Sequence, residues 1–315
     1  MQINFTKYSP VYYIFSGLLI VASIVSLAVF GLKFGIEFTG GSSLEVIFSD
    51  SRPSNDEVMK AISELNLGEV IIQPVDQKGM LLRFKEIDEP THQQIVSKLK
   101  ELKPLEEKRF ELVGPSIGKE LEQKTVVAIS LTLVAITLYI AFAFRKVSKP
   151  VASWKYGIAS LIALFHDIII PLGIFSVLGK FFNAEITTPI VTALLTILGF
   201  SVHDTIVIFD RIRENLLTPY RFSDNKLGKP ANLKPAELFE STVNRSLNQT
   251  LGRSINTVLT VLIVLFAIFF FGGLTLKYFA LALIVGIISG AYSSIFIASA
   301  LLVTWFRFQE KRRGY

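Results

Sequence analysis

The sequence of 315 residues contains no cysteine and has little charge. Without cysteine the chain forms no disulfide, no thiolate zinc site and no cysteine nucleophile. Charged residues make up 18% of the chain, against roughly 25% in soluble proteins. With only 20 glycines and 12 prolines, the composition also argues against a disordered or collagen-like chain.

Apolar surface is what the chain has in excess. Hydrophobic residues make up 51% of it, including 26 phenylalanines, and the mean hydropathy is +0.51. A soluble globule of this size does not need so much apolar surface, so the composition predicts a membrane protein. The formal charge of +6 fits either nucleic acid or anionic lipid, and the positions of the charges decide between them.

Six apolar runs are each about long enough to cross a hydrocarbon core of ~30 Å as a helix. They are residues 11–30, 126–144, 157–178, 186–209, 255–271 and 278–306. Backbone polar groups find no water in lipid, so these runs should be helical. The first run is alternatively the core of a cleaved signal peptide, although its 20 residues are long for one.

Basic residues indicate the orientation of the six spans. Lys and Arg concentrate in the segments on the side of both termini, whereas the two short loops opposite contribute only Lys180 and Lys277. By the positive-inside rule both termini lie in the cytoplasm. Residues 1–31 contain the cytoplasmic N-terminus and the first span, and residues 307–315 form a basic cytoplasmic tail. This asymmetry accounts for the basic charge, so a lipid bilayer and not nucleic acid is the expected environment.

Residues 32–124 form the one long insert, which the orientation places outside the cytoplasm. The pattern of strands and helices predicts the order β-α-β-β-α-β of a ferredoxin-like domain, with a capping box at Ser54 and Glu57. One sheet face would pack on the two helices and the other would stay free. That free face suits an extended peptide, or equally a partner subunit.

Two acidic residues lie inside the predicted spans, and each follows a histidine. His166 precedes Asp167, and His203 precedes Asp204. An ionisable residue at membrane depth costs roughly 2.5–3.5 kcal/mol, so each needs a reason. For His166 and Asp167, a possible secondary polar site, packing is the favoured reason because no cationic partner is evident beyond the adjacent histidine.

The fifth span begins with a matching polar face. Its members share one side of a helix: Arg253, Asn256, Thr257 and Thr260. A desolvated carboxyl tends to keep its proton and a nearby guanidinium favours the ionised form, so a movement of Arg253 relative to Asp204 would switch proton affinity. The sequence therefore predicts a proton relay there, and simple helix-to-helix adhesion is the alternative.

Between the fourth and fifth spans we predict a cytoplasmic loop at 210–253. It holds a Pro- and Gly-rich excursion at 218–235 and then a helix at 236–251 with an apolar stripe. This helix either lies on the cytoplasmic membrane surface or packs on the ends of the spans. Spans two to six with this loop make up residues 125–306.

Catalytic motifs are absent. The chain has no Walker A sequence, no H-E-x-x-H and no Rossmann glycine fingerprint, so nothing indicates ATP hydrolysis, a metal or a cofactor. Residues 114–118 fit G-x-S-x-G, but of three histidines only His92 lies outside the spans, and the motif needs a reachable histidine. We predict that the chain is not an enzyme.

Four segments resemble the SecD/SecF family of protein export membrane proteins, a relative of the RND transporters. Residues 35–41 (GIEFTGG) resemble the family's GG signature after the first span, and 113–118 (VGPSIG) resemble its motif before the second. Residues 201–215 and 248–257 are similar to the fourth-span and fifth-span motifs of the SecF branch. The signature positions singled out by this likeness are Glu37, Gly40, Gly41, Asp210, Arg211 and Arg213.

The resemblance implies a function. A member of this branch pairs with SecD in a pseudo-symmetric twelve-helix unit of the bacterial cytoplasmic (inner) membrane. The pair assists the SecYEG channel and the SecA ATPase, with YajC and YidC as further partners, and uses the proton gradient to move unfolded preproteins. The coupling ion is H⁺ and no cofactor is implied.

The family's proton-path residues map onto Asp204 and Arg253. Two positions depart from its pattern: Glu37 replaces the usual Asp, and His203 stands where Asn is common, which suggests that this imidazole joins the relay. Alternative functions are half of an RND-type exporter of lipids or small molecules, and a non-transporting membrane scaffold.

Overall fold

The computed structural model describes residues 3–145, 151–217 and 235–312. Within them, six helices are long and apolar enough to cross a membrane, so the chain is a multi-pass membrane protein. The spans are α1 (Ser9–Phe30), α5 (Pro115–Ala143), α6 (Ser153–Phe182), α7 (Thr188–Leu217), α8 (Pro235–Phe271), and α9 (Leu274–Tyr292) continued through a π-helical turn (Ser293–Ala298) into α10 (Ser299–Arg312).

An α+β domain separates α1 from α5. Its elements are a single turn α2 (Ile36–Thr39), strands β1 (Gly41–Phe48), β2 (Ile71–Val75), β3 (Gly79–Phe84) and β4 (Leu105–Val113), and helices α3 (Asn55–Ile62) and α4 (Glu89–Leu102). The sheet is antiparallel throughout, in the order β2-β3-β1-β4. The side of the membrane that carries this domain is called the domain side below.

Alternation along the strands builds the core of the domain. Leu44 and Val46 on β1 and Leu82 on β3 are fully buried, and they pack with Ile95 and Leu99 of α4. Helix α3 begins at the predicted capping box. The Ser54 amide donates to Glu57 Oε2 at 2.7 Å, and the Glu57 amide donates to Ser54 Oγ at 3.3 Å.

The sheet ends at Val113 and α5 begins two residues later at Pro115. The predicted boundary at residue 124 therefore lies within a helix. Proline is favoured in the first turn of a helix because its missing N–H is not needed there, and the polar residues 119–124 follow without a break. Helix α5 thus starts inside the α+β domain and continues from it into the membrane.

The predicted cytoplasmic loop at 210–253 is helical where the structure describes it, and it includes the helix predicted at 236–251. Helix α7 runs on to Leu217, and α8 begins at Pro235 and continues unbroken to Phe271. Pro235 in the first turn and Glu237 beside it favour a helix start, and nothing between them and the span breaks the helix. The predicted excursion at 218–234 lies outside the described residues.

The first turns of α8 pack on the ends of the spans, which decides between the two positions considered for residues 236–251. Phe239, Val243 and Leu247 are buried, and the Phe239 ring lies 5.1 Å from that of Phe306. The predicted tail is also helical: α10 extends to Arg312. Residues 236–251 therefore pack on neighbouring helix ends and do not form a membrane-surface helix, and the tail is helical as far as Arg312.

The centre of the bundle consists of α6, α7 and α9–α10, with α1, α5 and α8 more exposed. Helix α1 approaches α6 very closely at Gly173, where an added Cβ would lie 2.6 Å from the Ser23 Cα. Ser26 Oγ donates to the Gly173 carbonyl at 3.0 Å, and Ser176 Oγ donates to the Ser26 carbonyl at 2.9 Å. Small residues of this kind let membrane helices approach and bond.

Candidate functional site

One turn of α7 forms hydrogen bonds to three other parts of the bundle. Ser201 Oγ donates to Asp167 Oδ2 of α6 at 2.5 Å, and Thr205 shares a hydrogen bond of 2.7 Å with Ser294 in the π-helical turn. Asp204 completes the turn by accepting from α8. These contacts define a polar layer inside the apolar bundle, formed by the side chains of residues 166, 167, 201, 204, 205, 254, 289, 293 and 294.

Asp204 is buried, with 7% of its surface exposed. Its Oδ1 accepts a hydrogen bond of 2.6 Å from Ser254 Oγ, and its Oδ2 has no partner among the described residues. A carboxylate with a free oxygen inside a membrane bundle is the kind of group that binds and releases a proton. The structure thus places the predicted acid in the interior, next to the helix that was expected to oppose it.

Arg253 does not pair with Asp204. Successive residues of a helix point about 100° apart, and Ser254 is the one that faces α7. Arg253 consequently lies on the exposed side of α8, and the described residues contain no ion pair between the two within 4.0 Å. The sequence predicted the correct neighbouring helices but the wrong residue as the direct partner.

An outer polar face runs along the exposed sides of α7 and α8. On α7 it contains Thr192, Thr196 and His203. On α8 its members are Arg253, Asn256, Thr257 and Thr260. Polar side chains at membrane depth almost always face protein or water and not lipid. This face therefore requires a polar or protein neighbour.

His166 and Asp167 are both buried, at 1% and 0% exposure. Asp167 accepts from Ser201 and, at 2.8 Å, from Ser293 Oγ. The sequence favoured a packing role because it showed no partner. The missed signal is the row of serines on the last span, whose hydroxyls reach the carboxylate only after folding.

The GG signature forms the junction between α1 and the sheet. Gly40 and Gly41 have φ of 76° and 132°, in the region that favours glycine. A Cβ on Gly41 would lie 2.8 Å from the Phe84 carbonyl oxygen. Burial raises the pKa of the half-buried Glu37, and the nearby Glu111 raises it further, while its own backbone hydrogen bond and two arginines oppose the shift.

The signature residues at the other end of α7 form local ion pairs. Arg213 bonds Asp210 at 2.6 Å, and Arg211 bonds Glu214 at 2.5 Å. Arg211 Nε also donates to Gln249 Oε1 of α8 at 2.7 Å. These contacts tie the ends of α7 and α8 together, and the structure does not bring them to the polar layer.

The sheet face opposite α3 and α4 is turned toward the bundle. Arg83 on β3 forms a buried ion pair of 2.9 Å with Glu185 in the loop between α6 and α7. Gln73 on β2 donates to the carbonyls of Phe182 and Asn183 at 3.2 and 3.0 Å. Burial raises the pKa of Glu185, and Arg83 opposes that shift.

A cleft of about 420 Å³ remains between this sheet face and the domain-side ends of α7 and α9. Its charged lining residues are Glu37, Glu45, Arg83, Arg109 and Glu111. The sheet face predicted to be free is therefore partly occupied by the bundle. No group of three or more His, Asp or Glu side chains in the described residues is arranged to hold a metal ion.

Six spans around a layer of buried carboxylates, with a small α+β domain on one side, define a polytopic α-helical membrane protein. The family profile described as protein export membrane protein SecD/SecF, C-terminal, matches residues 94–308. The SecD/SecF GG motif matches residues 25–49. The chain belongs to the SecD/SecF family.

Relatives and solved structures agree with this membership. The protein translocase subunit SecF of Thermobaculum terrenum is 42% identical, over 96% of this chain and 94% of the relative. That of Synechocystis is 33% identical over 99% of this chain and 97% of the relative. A crystal structure of SecDF from Thermus thermophilus, a translocon-associated membrane protein, superposes with a TM-score of 0.81 and 32% identity, over 97% of this chain but 39% of that one.

Proposed function

We propose that the chain is an accessory subunit of the Sec preprotein translocase. It acts with SecD and uses the proton gradient to promote preprotein translocation across the bacterial cytoplasmic membrane. The single observation that carries this proposal is the polar layer, in which Asp204 holds an unpartnered carboxylate oxygen beside a neighbouring span. The similarity to protein translocase subunits SecF supports the setting in which this layer works.

The outer polar face supports a second six-helix subunit as partner. Arg253, Asn256 and His203 are exposed in the single chain, and exposure of such groups to hydrocarbon is costly. A SecD subunit packed against α7 and α8 would cover them. The Thermus SecDF chain, of which this chain spans 39%, is consistent with a unit that contains both parts.

The proton relay then runs between Asp204 and the outer polar face. Arg253 precedes Ser254 and His203 precedes Asp204, the two residues of the hydrogen bond between α8 and α7. A rotation of α7 or α8 about its axis therefore brings a cation toward the carboxylate. Charge movement through the membrane potential is worth about 2.3 kcal/mol per charge per 100 mV. That energy is ample to move one helix against another.

The α+β domain has the strand order of the ferredoxin-like split motif, and we place it on the extracytoplasmic side with both termini in the cytoplasm. Its contact with unfolded preprotein uses surfaces other than the Gln73–Arg83 side, which the bundle occupies. SecYEG, SecA, YajC and YidC are the further partners that this role implies.

The test is preprotein export into inverted membrane vesicles with and without a proton gradient. Asp204→Asn should abolish the gradient-dependent part of export, and Arg253→Met should reduce it. The matched control is Asp210→Asn, the same change on the same helix at an exposed site outside the polar layer, which should retain it. Equal behaviour of wild type and Asp204→Asn would leave only a scaffold role.

A further inference from the structure

The proposed relay leaves a second acid of the polar layer unused. Asp167 lies on α6, is completely buried and accepts from groups on three elements. Ser201 Oγ and Ser293 Oγ donate to its Oδ2 at 2.5 and 2.8 Å. Ser289 Oγ donates to its Oδ1 at 3.4 Å. Bonds to an ionised carboxylate are about twice as strong as neutral ones, so this arrangement is built to hold a charge.

His166 forms the fourth contact. Its Nδ1 lies 2.9 Å from Asp167 Oδ1, while its buried Nε2 has no partner among the described residues. His166 lines an apolar groove of about 280 Å³, together with Phe15 and Leu19 of α1 and Ile288 of α9. A neutral imidazole can donate from Nδ1 and leave Nε2 as a bare lone pair, which costs less at this buried position than an N–H without an acceptor.

In its ionised form Asp167 is an anion held by donors in a medium of low dielectric, where an uncompensated charge costs several kcal/mol. The titratable group that faces the pair from a neighbouring helix is Tyr292 of α9, whose ring centroid lies 6.0 Å from that of His166; the Tyr292 hydroxyl donates to the backbone carbonyl of Tyr12 on α1 at 3.2 Å, and Tyr12 is the next titratable residue. Neither is a cation, and no further ion pair to either residue is present in the described part of the chain. A proton is the ligand that neutralises such a site.

We propose that His166 and Asp167 form a second proton-binding site of the bundle, coupled to the Asp204 turn through the π-helical turn 293–298. Protonation weakens the bonds that Asp167 accepts from Ser201 and Ser293. Ser294, the next residue, bonds Thr205, which adjoins Asp204. A π-helical turn is rare and recurs at functional sites, and here its first two residues contact the turns of both acids. That the site serves proton-driven export rests on the proposed function, whereas proton binding itself does not.

Infrared difference spectroscopy of the full chain in lipid nanodiscs, as the pH is lowered, tests the proton site. A carbonyl band of a protonated buried carboxyl should appear in Asp204→Asn, where Asp204 cannot contribute, and its intensity should fall when Asp167→Asn is added. If adding Asp167→Asn leaves the intensity of this band unchanged, the site does not bind a proton.

A milder pair of variants covers the case in which Asp167→Asn does not fold. Ser293→Ala removes one donor to the carboxylate, so about 10-fold less H⁺ should half-protonate the site, which corresponds to ~1.4 kcal/mol. The control Ser299→Ala loses a hydroxyl that bonds only the Ser294 carbonyl, at 3.1 Å, and should leave the midpoint in place. Equal midpoints for both variants would overturn the assignment.

Amide hydrogen exchange in the same samples tests the coupling. Protection of the amides of residues 293–298, relative to unfolded amides at the same pH, should fall over the pH range in which the band appears, and this protection should not change with pH in Asp167→Asn. Export in vesicles supplies the separate readout: if wild type itself shows no gradient dependence, the proposed function fails while the spectroscopic site stands.

Discussion

The ion pair between Arg83 and Glu185 should hold the α+β domain on the bundle. The two side chains are 15% and 3% exposed and their charged atoms lie 2.9 Å apart, and Arg83 also donates to Gln73 Oε1 at 3.1 Å. Arg83→Met would leave the Glu185 carboxylate buried without its cation. Breaking a buried pair in this way costs roughly 3–5 kcal/mol, since the remaining charge is uncompensated.

Backbone amides at the junction report this loss directly. The Gly35 amide donates to the Ile186 carbonyl at 2.9 Å, and the Ile186 amide donates to the Lys33 carbonyl at 2.7 Å. Their exchange protection should fall by roughly two to four orders of magnitude in Arg83→Met, at ~1.4 kcal/mol per tenfold. Adding Glu185→Gln should restore most of it because no charge is then stranded.

Arg109→Met is the matched control, since Arg109 lies on the same sheet face. Its ion pair with Glu111 is 62% and 38% exposed, so the change should cost only about 0–1 kcal/mol. Equal loss of protection in the two variants would refute the reasoning.

The pH dependence of the Arg83→Met defect provides a second test of the burial argument. Burial raises the pKa of Glu185 above 4.5, so the stability linked to its neutral form is present at low pH and lost as the pH rises through the native pKa. The defect of Arg83→Met should therefore be largest near neutral pH and shrink on acidification. A defect that grows as the pH falls would contradict the burial argument.

Three further predictions concern other parts of the chain. Gly173→Ala should destabilise the protein by about 1–3 kcal/mol, because an added Cβ would lie 2.6 Å from the Ser23 Cα, whereas Gly199→Ala meets nothing within 4 Å and should be neutral; thermal unfolding in detergent compares them. Burial raises the pKa of Glu37, so wild-type stability should fall as the pH rises through its native pKa. Glu37→Gln should flatten this pH dependence of the unfolding midpoint, measured between about pH 4 and 7. An unchanged slope would count against burial as the cause. Ser254→Ala removes the hydroxyl that donates to Asp204 and should lower gradient-dependent export in vesicles. Thr257→Val, on the outer face of the same helix, should leave the Asp204 hydrogen bond intact and affect export less.

Local sequence patterns determined much of the architecture. The six apolar runs predicted the six spans because membrane crossing requires uninterrupted apolar length. The capping box at Ser54 and Glu57 marked the start of α3, since both bonding partners lie within one helical turn. Helix ends were less predictable: the helix expected at 236–251 is continuous with the fifth span, and Phe239 near its start packs against Phe306.

Which side chains meet was decided only by the tertiary structure. The sequence identified Asp204, Asp167, Arg253 and the two histidines as residues that need an explanation, because charge at membrane depth is costly wherever it falls. It could not show that Ser254, and not Arg253, is the partner of Asp204. Adjacent residues of a helix point about 100° apart, and only the packing of the neighbouring helix decides which of them faces it. Nor could it show the serines around Asp167, which come from α7 and α9 at separations of 34 to 126 residues. Periodicity reports the faces of one helix at a time, whereas a polar layer is a property of several helices packed together.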